Sequence, residues 1–306
     1  MHPREIVAAY RRGENLMSLL KNRQSSEEVE ACIEVAYDLQ AGSYIDLMND
    51  WAFAKQKHAY AAEIAQCIDS ITDCTSLMEV GVGEATTLSV VMKQFHQTPR
   101  HVHGFDISWS RVARAREWLS QRGQSSVFLS VASLFHIPYV QSSFDVVYTS
   151  HSIEPNGGKE SQILTELYRV ASRYLVLLEP GYEFANAEQK QRMESHGYCR
   201  NLAGHAEDLG MRVIKHEPFP YVANPKNPTA VVVIEKDSSR DDATPQLACP
   251  GFGDLLTDHS DAFYSPESLR AYPKIGGIPC LRKHDGVVAS DYERFCKPAS
   301  PFRHAA

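Results

Sequence analysis

The chain has 306 residues, 43% of them hydrophobic, which is enough to build one full α/β domain with smaller elements attached. The net charge of −7 argues against a nucleic-acid-binding protein, because such proteins usually carry a basic face. The start of the chain resembles no secretory signal, no stretch approaches about 18 apolar residues, and the seven cysteines are scattered. These features predict a cytoplasmic protein with free thiols and no membrane partner.

The first 50 residues are predicted to be helical, because apolar side chains such as Ile6, Val7 and Tyr10 recur at helical spacing. A polar break around Gly42 separates this part from a second predicted helix, at about 51–71. Tyr60 and Ile64 lie on the inward face of that helix.

A glycine turn follows the first predicted strand, in the sequence Leu-Met-Glu-Val-Gly-Val-Gly-Glu-Ala-Thr-Thr at 77–87. Gly81 and Gly83 let the backbone pass close to a ligand, and the helix predicted to open near Thr86 points its amides toward that place. Glu79 is set to face the same ligand. A dinucleotide-binding fingerprint would place a third glycine at position 86. An ordinary strand-to-helix turn of an α/β domain is the other interpretation of this pattern.

The second strand is predicted at 101–107, and Asp106 lies near its end. Asp106 follows the glycine turn by about twenty residues, the usual offset of an acid that binds ribose hydroxyls. A carboxylate can accept hydrogen bonds from both hydroxyls. The alternative is that Asp106 caps the helix that starts at Ser108 or Trp109.

Five further strands are predicted at 126–132, 143–150, 174–180, 211–216 and 229–235, with helices between them. Ligands of open α/β sheets collect at the carboxyl ends of the strands, so Ser150, His151 and Glu154 are expected to border the ligand. The pattern predicts a doubly wound α/β sheet of seven strands that closes with a hairpin.

Three motifs together resemble class I S-adenosylmethionine-dependent methyltransferases. They are the acidic-x-Gly-x-Gly loop at 79–83, the pair Asp106-Ile107, and the Phe-Asp-x-Val sequence at 144–147. The resemblance implies a Rossmann-like methyltransferase sheet over 51–236 and S-adenosylmethionine as the cofactor. It also implies that residues 1–50 form a helical lid, in which Tyr37 and Tyr44 either contact the ligand or are ordinary core aromatics.

The third motif of that family fits loosely, because Val131 stands where an acidic residue is expected. Backbone amides near Ala132 and Ser133 are expected to contact the adenine instead. The resemblance thus implies a set of cofactor-binding residues: Glu79, Gly81, Gly83, Asp106, Ile107, Ala132, Ser133, Ser150 and Tyr44.

The last part of the chain follows a polar linker at 237–246 and is predicted to be a small α+β module at 247–306. Its Cys-Pro at 249–250 and its Tyr-Pro and Gly-Ile-Pro-x-Leu sequences at 272–281 resemble a zinc-ribbon-like module of activator subunits of tRNA and release-factor methyltransferases. Phe252 replaces the second cysteine. The remaining candidate ligands lack the paired spacing of a strong zinc site, so we expect no metal and leave a rewired site open: Cys249, His259, Cys280 and His284.

Methyl transfer to a hydroxyl requires a group that accepts its proton. His151 is the first candidate, because its ordinary pKa lies near working pH, and Glu154 and His196 come next. The alternative is that His151 only packs against the cofactor. The fourth strand is followed by neither an Asn/Asp-Pro-Pro-Tyr motif nor a Pro-Cys pair, which disfavours nucleobase and glutamine N-methylation and cytosine C5-methylation.

The sequence therefore predicts a methyltransferase acting on a hydroxyl or amine of a small molecule, such as a sugar or secondary metabolite. Two alternatives stay open: an RNA or translation-factor methyltransferase, and a non-catalytic scaffold with the same fold. A homodimer is also left open.

Overall fold

The centre of the molecule is a seven-stranded sheet. The structure, a computed structural model, describes residues 3–14, 26–221, 224–237 and 244–296, so most of the predicted linker lies outside the described residues. The strands are β1 (Ser76–Val80), β2 (His101–Asp106), β3 (Phe128–Val131), β4 (Phe144–Ser150), β5 (Ala171–Pro180), β6 (Arg212–Pro218) and β7 (Thr229–Glu235). Their order is β3-β2-β1-β4-β5-β7-β6. β1 to β5 are parallel, and β7 is antiparallel to both of its neighbours.

Helices cover both faces of this sheet. Their bounds are α1 (Pro3–Arg11), α2 (Ser26–Asp38), α3 (Ser43–Leu47), α4 (Trp51–Asp69), α5 (Leu88–Gln94), α6 (Trp109–Ser120), α7 (Glu160–Val170), α8 (Ala187–His196) and α9 (Leu202–Asp208). None of the helices in the described part of the chain is long and apolar enough to cross a membrane.

Two apolar cores explain why the central strands are so hydrophobic. Every residue of β1 is buried, because helices pack on both sides of a parallel sheet. On one face, Ile64 of α4 and Leu88 of α5 belong to one buried cluster. On the other face, Ile163 and Leu167 of α7 belong to a second cluster. The predicted α/β fold is confirmed.

The strand order creates a switch point between β1 and β4. The chain leaves β1 toward β2 on one side and returns through β4 on the other, so the loops after these two strands diverge. A crevice at such a point is where open α/β sheets bind ligands.

A small second sheet is built from the tail. It contains β8 (Thr257–Asp258), β9 (Ala262–Ser265), β10 (Arg270–Ile275), β11 (Ile278–Pro279) and β12 (Val287–Val288), followed by α10 (Tyr292–Phe295). Leu281 N donates to Val131 O at 2.7 Å, so the tail pairs with the edge strand β3. The tail thereby covers an edge that would otherwise be open to pairing with another chain.

Candidate functional site

A cavity of about 390 Å³ lies at the carboxyl ends of β1 and β4, which is within the size range of small-ligand sites. The structure brings most of the predicted site residues to its wall: Glu79, Gly81, Gly83, Asp106, Ile107, Ala132, Ser150, Tyr44, His151 and Glu154.

Two predicted residues are not on that wall. Ser133 is buried, and its hydroxyl donates to the carboxylate of Glu30, which does line the cavity. His196 is the last residue of α8, and its Nδ1 lies 2.8 Å from the carbonyl oxygen of Arg192. The structure does not bring His196 together with His151 and Glu154.

The glycine turn after β1 is shaped by two constraints. Gly81 has φ +71° and Gly83 has φ +53°, in the left-handed region that favours glycine. A Cβ on Gly81 would also lie 2.2 Å from the Cβ of Ser152, in the loop after β4. The two loops of the switch point therefore meet at Gly81.

Replacing Gly81 with alanine is expected to destabilise the fold more than replacing Gly123, because Gly123 has the same φ of +71° but open space around it. Gly123→Ala should cost about 1 kcal/mol from backbone strain. Gly81→Ala should cost about 2 kcal/mol more, because the loop after β4 must move. Urea unfolding of both variants measures the difference in the free energy of unfolding. Equal losses would show that the loop carrying Ser152 moves aside without an energetic penalty.

Asp106 joins the glycine turn to the loop after β2. Its Oδ2 accepts from Gly83 N at 3.0 Å, and its Oδ1 accepts from Ser108 N at 2.9 Å. Burial raises the pKa of Asp106, while Arg111 and the backbone donors oppose that shift. The cap of α6 is Ser108, whose hydroxyl accepts from Arg111 N, so the interpretation of Asp106 as the helix cap is wrong.

The segment 37–45 of the N-terminal region is fastened over the cavity. Glu84 accepts from Gly42 N at 2.9 Å and from Ile45 N at 2.8 Å. Asp38 at the end of α2 accepts from Ser110 N at 2.9 Å. These contacts tie the segment to the glycine turn through Glu84 and to the first turn of α6 through Ser110.

Arg111 adds a third attachment. Its Nε donates to Tyr37 O at 2.9 Å, and its guanidinium lies 4.7 Å from the ring centroid of Tyr37 and 5.2 Å from that of Tyr44. Both tyrosines line the cavity. The guanidinium therefore holds two aromatic rings of the N-terminal segment at the site.

His151 forms the centre of a polar network after β4. Its Nδ1 lies 2.7 Å from Glu154 Oε2, and its Nε2 lies 2.8 Å from Thr229 Oγ1. Asn227 Nδ2 donates to the same Glu154 oxygen at 3.0 Å. Burial lowers the pKa of His151, but the hydrogen bond and negative charge of Glu154 outweigh it and raise this pKa above its ordinary value.

The backbone around His151 is held in an uncommon conformation. His151 has φ +56°, a left-handed value that costs a non-glycine residue about 1 kcal/mol or more. The loop is held there by Glu179, whose carboxylate accepts from the amides of Ser152, Ile153 and Glu154 at 3.0–3.2 Å. Burial raises the pKa of Glu179 to about 7. The strained residue thus faces the cavity with its ring orientation fixed.

Sequence reasoning missed four charged residues of the cavity wall: Glu30, Lys57, Glu84 and Arg111. Lys57 had a readable signal, because it falls between Phe53 and Tyr60 on the inward face of α4, where an apolar residue is expected. Glu84 and Arg111 gave no such signal, since a charged residue in a turn or helix is common.

No metal centre is formed by the residues that the structure describes, since no three His, Cys, Asp or Glu side chains come together there. In the tail, Cys249 Sγ instead lies 3.1 Å from Tyr272 Oη and 3.1 Å from Ser268 Oγ. Both nitrogens of the buried His259 lack a hydrogen-bond partner within the same described residues.

The strand order and the cavity at the β1–β4 switch point define a Rossmann-like methyltransferase fold. Residues 77–173 match the family model described as a methyltransferase domain. This segment runs from β1 into β5 and contains the glycine turn, Asp106 and His151. Over these residues the chain is therefore similar to a methyltransferase domain.

Solved structures similar to the chain are distant in sequence. A methyltransferase from Aquifex aeolicus is 17% identical, with a TM-score of 0.47 over 63% of this chain and 97% of that chain. Magnesium protoporphyrin IX methyltransferase from Synechocystis, with bound S-adenosylhomocysteine, is 11% identical, with a TM-score of 0.49 over 66% and 99%. Geranyl diphosphate C-methyltransferase from Streptomyces coelicolor is 10% identical, with a TM-score of 0.43 over 53% and 70%. A sequence comparison with curated proteins finds no match.

Proposed function

We propose that the protein transfers the methyl group of S-adenosylmethionine to a hydroxyl or amine of a small molecule, such as a sugar or secondary metabolite. One observation carries this proposal: a single cavity is lined by the glycine turn, by Asp106 and by the His151–Glu154 pair. In this proposal residues 1–50 act as the lid, 51–236 hold the cofactor and acceptor, and 247–306 form a separate small module.

The residues of the cavity fit the cofactor. Gly81 and Gly83 line the cavity and carry no side chain, so a ligand can lie directly against the backbone of the turn. Asp106 presents a buried carboxylate for the ribose hydroxyls, and Ala132 lies on the cavity wall. The Ala132 amide donates to the carbonyl oxygen of Asp106 at 3.0 Å, so Ala132 would meet the adenine by packing and not through its N–H. When bound, the cofactor supplies a methyl group that is already electrophilic, so the protein must orient the acceptor and take up its proton.

His151 is the proposed base. In its neutral form, Nδ1–H donates to Glu154 and Nε2 carries the free electron pair. In this structure Nε2 lies 2.8 Å from the hydroxyl of the buried Thr229, so an acceptor hydroxyl would give its proton to Nε2 only after the Thr229 side chain rotates away. Glu154 and Asn227 hold the ring in the required orientation.

A small acceptor is favoured over a macromolecule, because the segment 37–45 is fastened over the cavity and the chain carries a net charge of −7. The proposal is tested by incubating the protein with S-adenosylmethionine and panels of amines, sugars and hydroxylated metabolites. Mass spectrometry should detect an acceptor heavier by one methylene unit, together with S-adenosylhomocysteine. Transfer to tRNA or a release factor alone would establish the alternative that the tail resemblance suggests. Cofactor binding with no transfer to any of them would favour a scaffold.

A further inference from the structure

Helix α2 of the proposed lid carries three acidic residues at intervals of four: Glu30, Glu34 and Asp38. Side chains at this spacing share one face of a helix, where like charges repel each other unless they are paired. Glu30 also lines the cavity, together with Ile33 and Tyr37 of the same helix. The contacts of the three acids therefore decide how firmly α2 is held over the cavity.

Two of the three acids contact neutral groups. The Ser133 hydroxyl, just beyond β3, donates to Glu30. At the start of α6, Ser110 donates to Asp38 from its amide and from its hydroxyl, both at 2.9 Å. These hydrogen bonds fix both ends of the acidic face, but neither brings a positive charge to it.

The third acid, Glu34, pairs with a cation of the tail. Arg282 forms an ion pair with Glu34 through Nη1, and its Nε and Nη2 donate to Asp285 at 3.0 Å. Only 15% of the Arg282 side chain and 32% of the Glu34 side chain are exposed. Burial lowers the pKa of Arg282, but the hydrogen bond to Asp285 and the negative charges of both carboxylates outweigh it and raise this pKa. Because water screens a partly buried pair less than an exposed one, this contact stabilises the position of α2 more than a surface pair would.

The tail is attached to the central sheet and its helices by contacts that do not involve α2. In the turn between β10 and β11, Ile275 O accepts from Trp109 Nε1 at 3.1 Å, and Gly276 O accepts from Arg116 Nη1 at 2.8 Å. The residue before Arg282 pairs with β3. The ion pair of Arg282 therefore links α2 to a part of the molecule that is held in place independently.

We propose that the tail holds α2 over the cavity through the Arg282–Glu34 ion pair and thereby slows the release of a bound ligand. Without that pair, the acidic face of α2 loses the charge of Arg282, and the helix opens more often. A ligand leaves faster when a helix that forms its wall opens more often. The effect on release rests on the proposed function, because it needs a ligand in the cavity, whereas the opening of α2 does not.

Hydrogen exchange of the unliganded protein, followed by mass spectrometry, measures the opening of α2. Glu34→Gln should speed exchange of the segment 30–38 about 5-fold, the upper range for an ion pair that is not fully buried. It should leave exchange of the tail segment 262–281 unchanged, because Arg282 keeps its contacts with Asp285. Arg282→Met should speed exchange of 30–38 by the same factor, and Glu34→Gln is the deciding variant because it leaves the tail intact.

Release of S-adenosylhomocysteine, followed by stopped-flow displacement, measures the effect on the cavity. Glu34→Gln and Arg282→Met should each speed release about 5-fold, and the double variant should be no faster than either, because both substitutions remove one and the same pair. Glu117→Gln is the matched control, since it removes a carboxylate from the exposed ion pair of Glu117 with Arg114 on α6. It should change neither the exchange of 30–38 nor the release rate.

Unchanged exchange of 30–38 in Glu34→Gln would overturn the inference, and so would faster exchange with an unchanged release rate. Effects that add up in the double variant would show that the two residues act separately and would also overturn it. If the unchanged protein binds no S-adenosylhomocysteine, the proposed function fails, and the exchange of 30–38 alone decides whether the tail holds α2.

Discussion

Asp106→Ala is expected to lower the affinity for S-adenosylhomocysteine about 100-fold, the size expected when two charge-assisted hydrogen bonds to a ligand are lost. Asp106 is 8% exposed and faces the cavity from the end of β2. The ribose hydroxyls lose their hydrogen bonds to water when the ligand binds. After the substitution they would find no comparable acceptor at the end of β2. Isothermal titration calorimetry measures the change.

The control for this result must separate ribose binding from loop geometry, because Asp106 also accepts from Gly83 N and Ser108 N. Adenosine and 2′,3′-dideoxyadenosine differ in the ribose hydroxyls alone. The unchanged protein should prefer adenosine, and Asp106→Ala should lose that preference. A preference that survives the substitution, or an unchanged affinity for S-adenosylhomocysteine, would reject the ribose role.

His151→Gln is expected to reduce kcat about 10²- to 10⁴-fold once an acceptor is known, the usual contribution of a general base. Affinity for the cofactor should stay within a few-fold, because the substitution removes no contact proposed for the cofactor. The exposed His58 on α4 provides the matched control, and His58→Gln should leave kcat unchanged. A fully active His151→Gln variant would remove His151 from the mechanism.

The pH dependence of the rate also tests whether His151 is the base, because a purely structural role of His151 would leave this pH profile unchanged. The pKa of His151 is raised, so the imidazole is protonated below that pKa and becomes a base only above it. The rate should therefore rise with pH through a value above about 6.5. Glu154→Gln removes the charge that raises this pKa, so the rising limb should move to lower pH.

The raised pKa of His151 also affects the stability of the fold, and this contribution falls with rising pH while the rate increases. The protonated His151–Glu154 pair stabilises the folded protein at pH values below the ordinary histidine pKa. That contribution disappears as the pH rises through the raised folded-state pKa. The pH that favours the proposed base is thus the pH at which this pair stabilises the fold least.

Strand positions and the glycine turn could be predicted from the sequence, because they depend on neighbouring residues. Continuous apolar runs identify the strands of a buried parallel sheet, and β7 begins and ends where predicted, at Thr229 and Glu235. Boundaries were less accurate where the pattern is mixed. Helix α5 begins at Leu88 instead of near Thr86, and β5 begins at Ala171 instead of Tyr174.

Side-chain partners far apart in sequence could not be predicted. Glu84 meets Gly42 across 42 positions, and Arg111 meets Tyr37 across 74. In the same way, His151 finds Thr229 at a separation of 78. Each pair is decided by how the helices and loops pack, and a turn glutamate or a helical arginine carries no local mark of its partner.

By itself, the sequence determined the sheet, the glycine turn and the acid at the end of β2, because these follow from hydrophobic periodicity and from backbone freedom at Gly81 and Gly83. Tertiary structure alone decided that the tail pairs with β3, that the segment 37–45 lies fastened over the cavity, and that Lys57 lines the cavity and donates to Thr87. The physical reason is that burial and charge pairing depend on which surfaces meet in space.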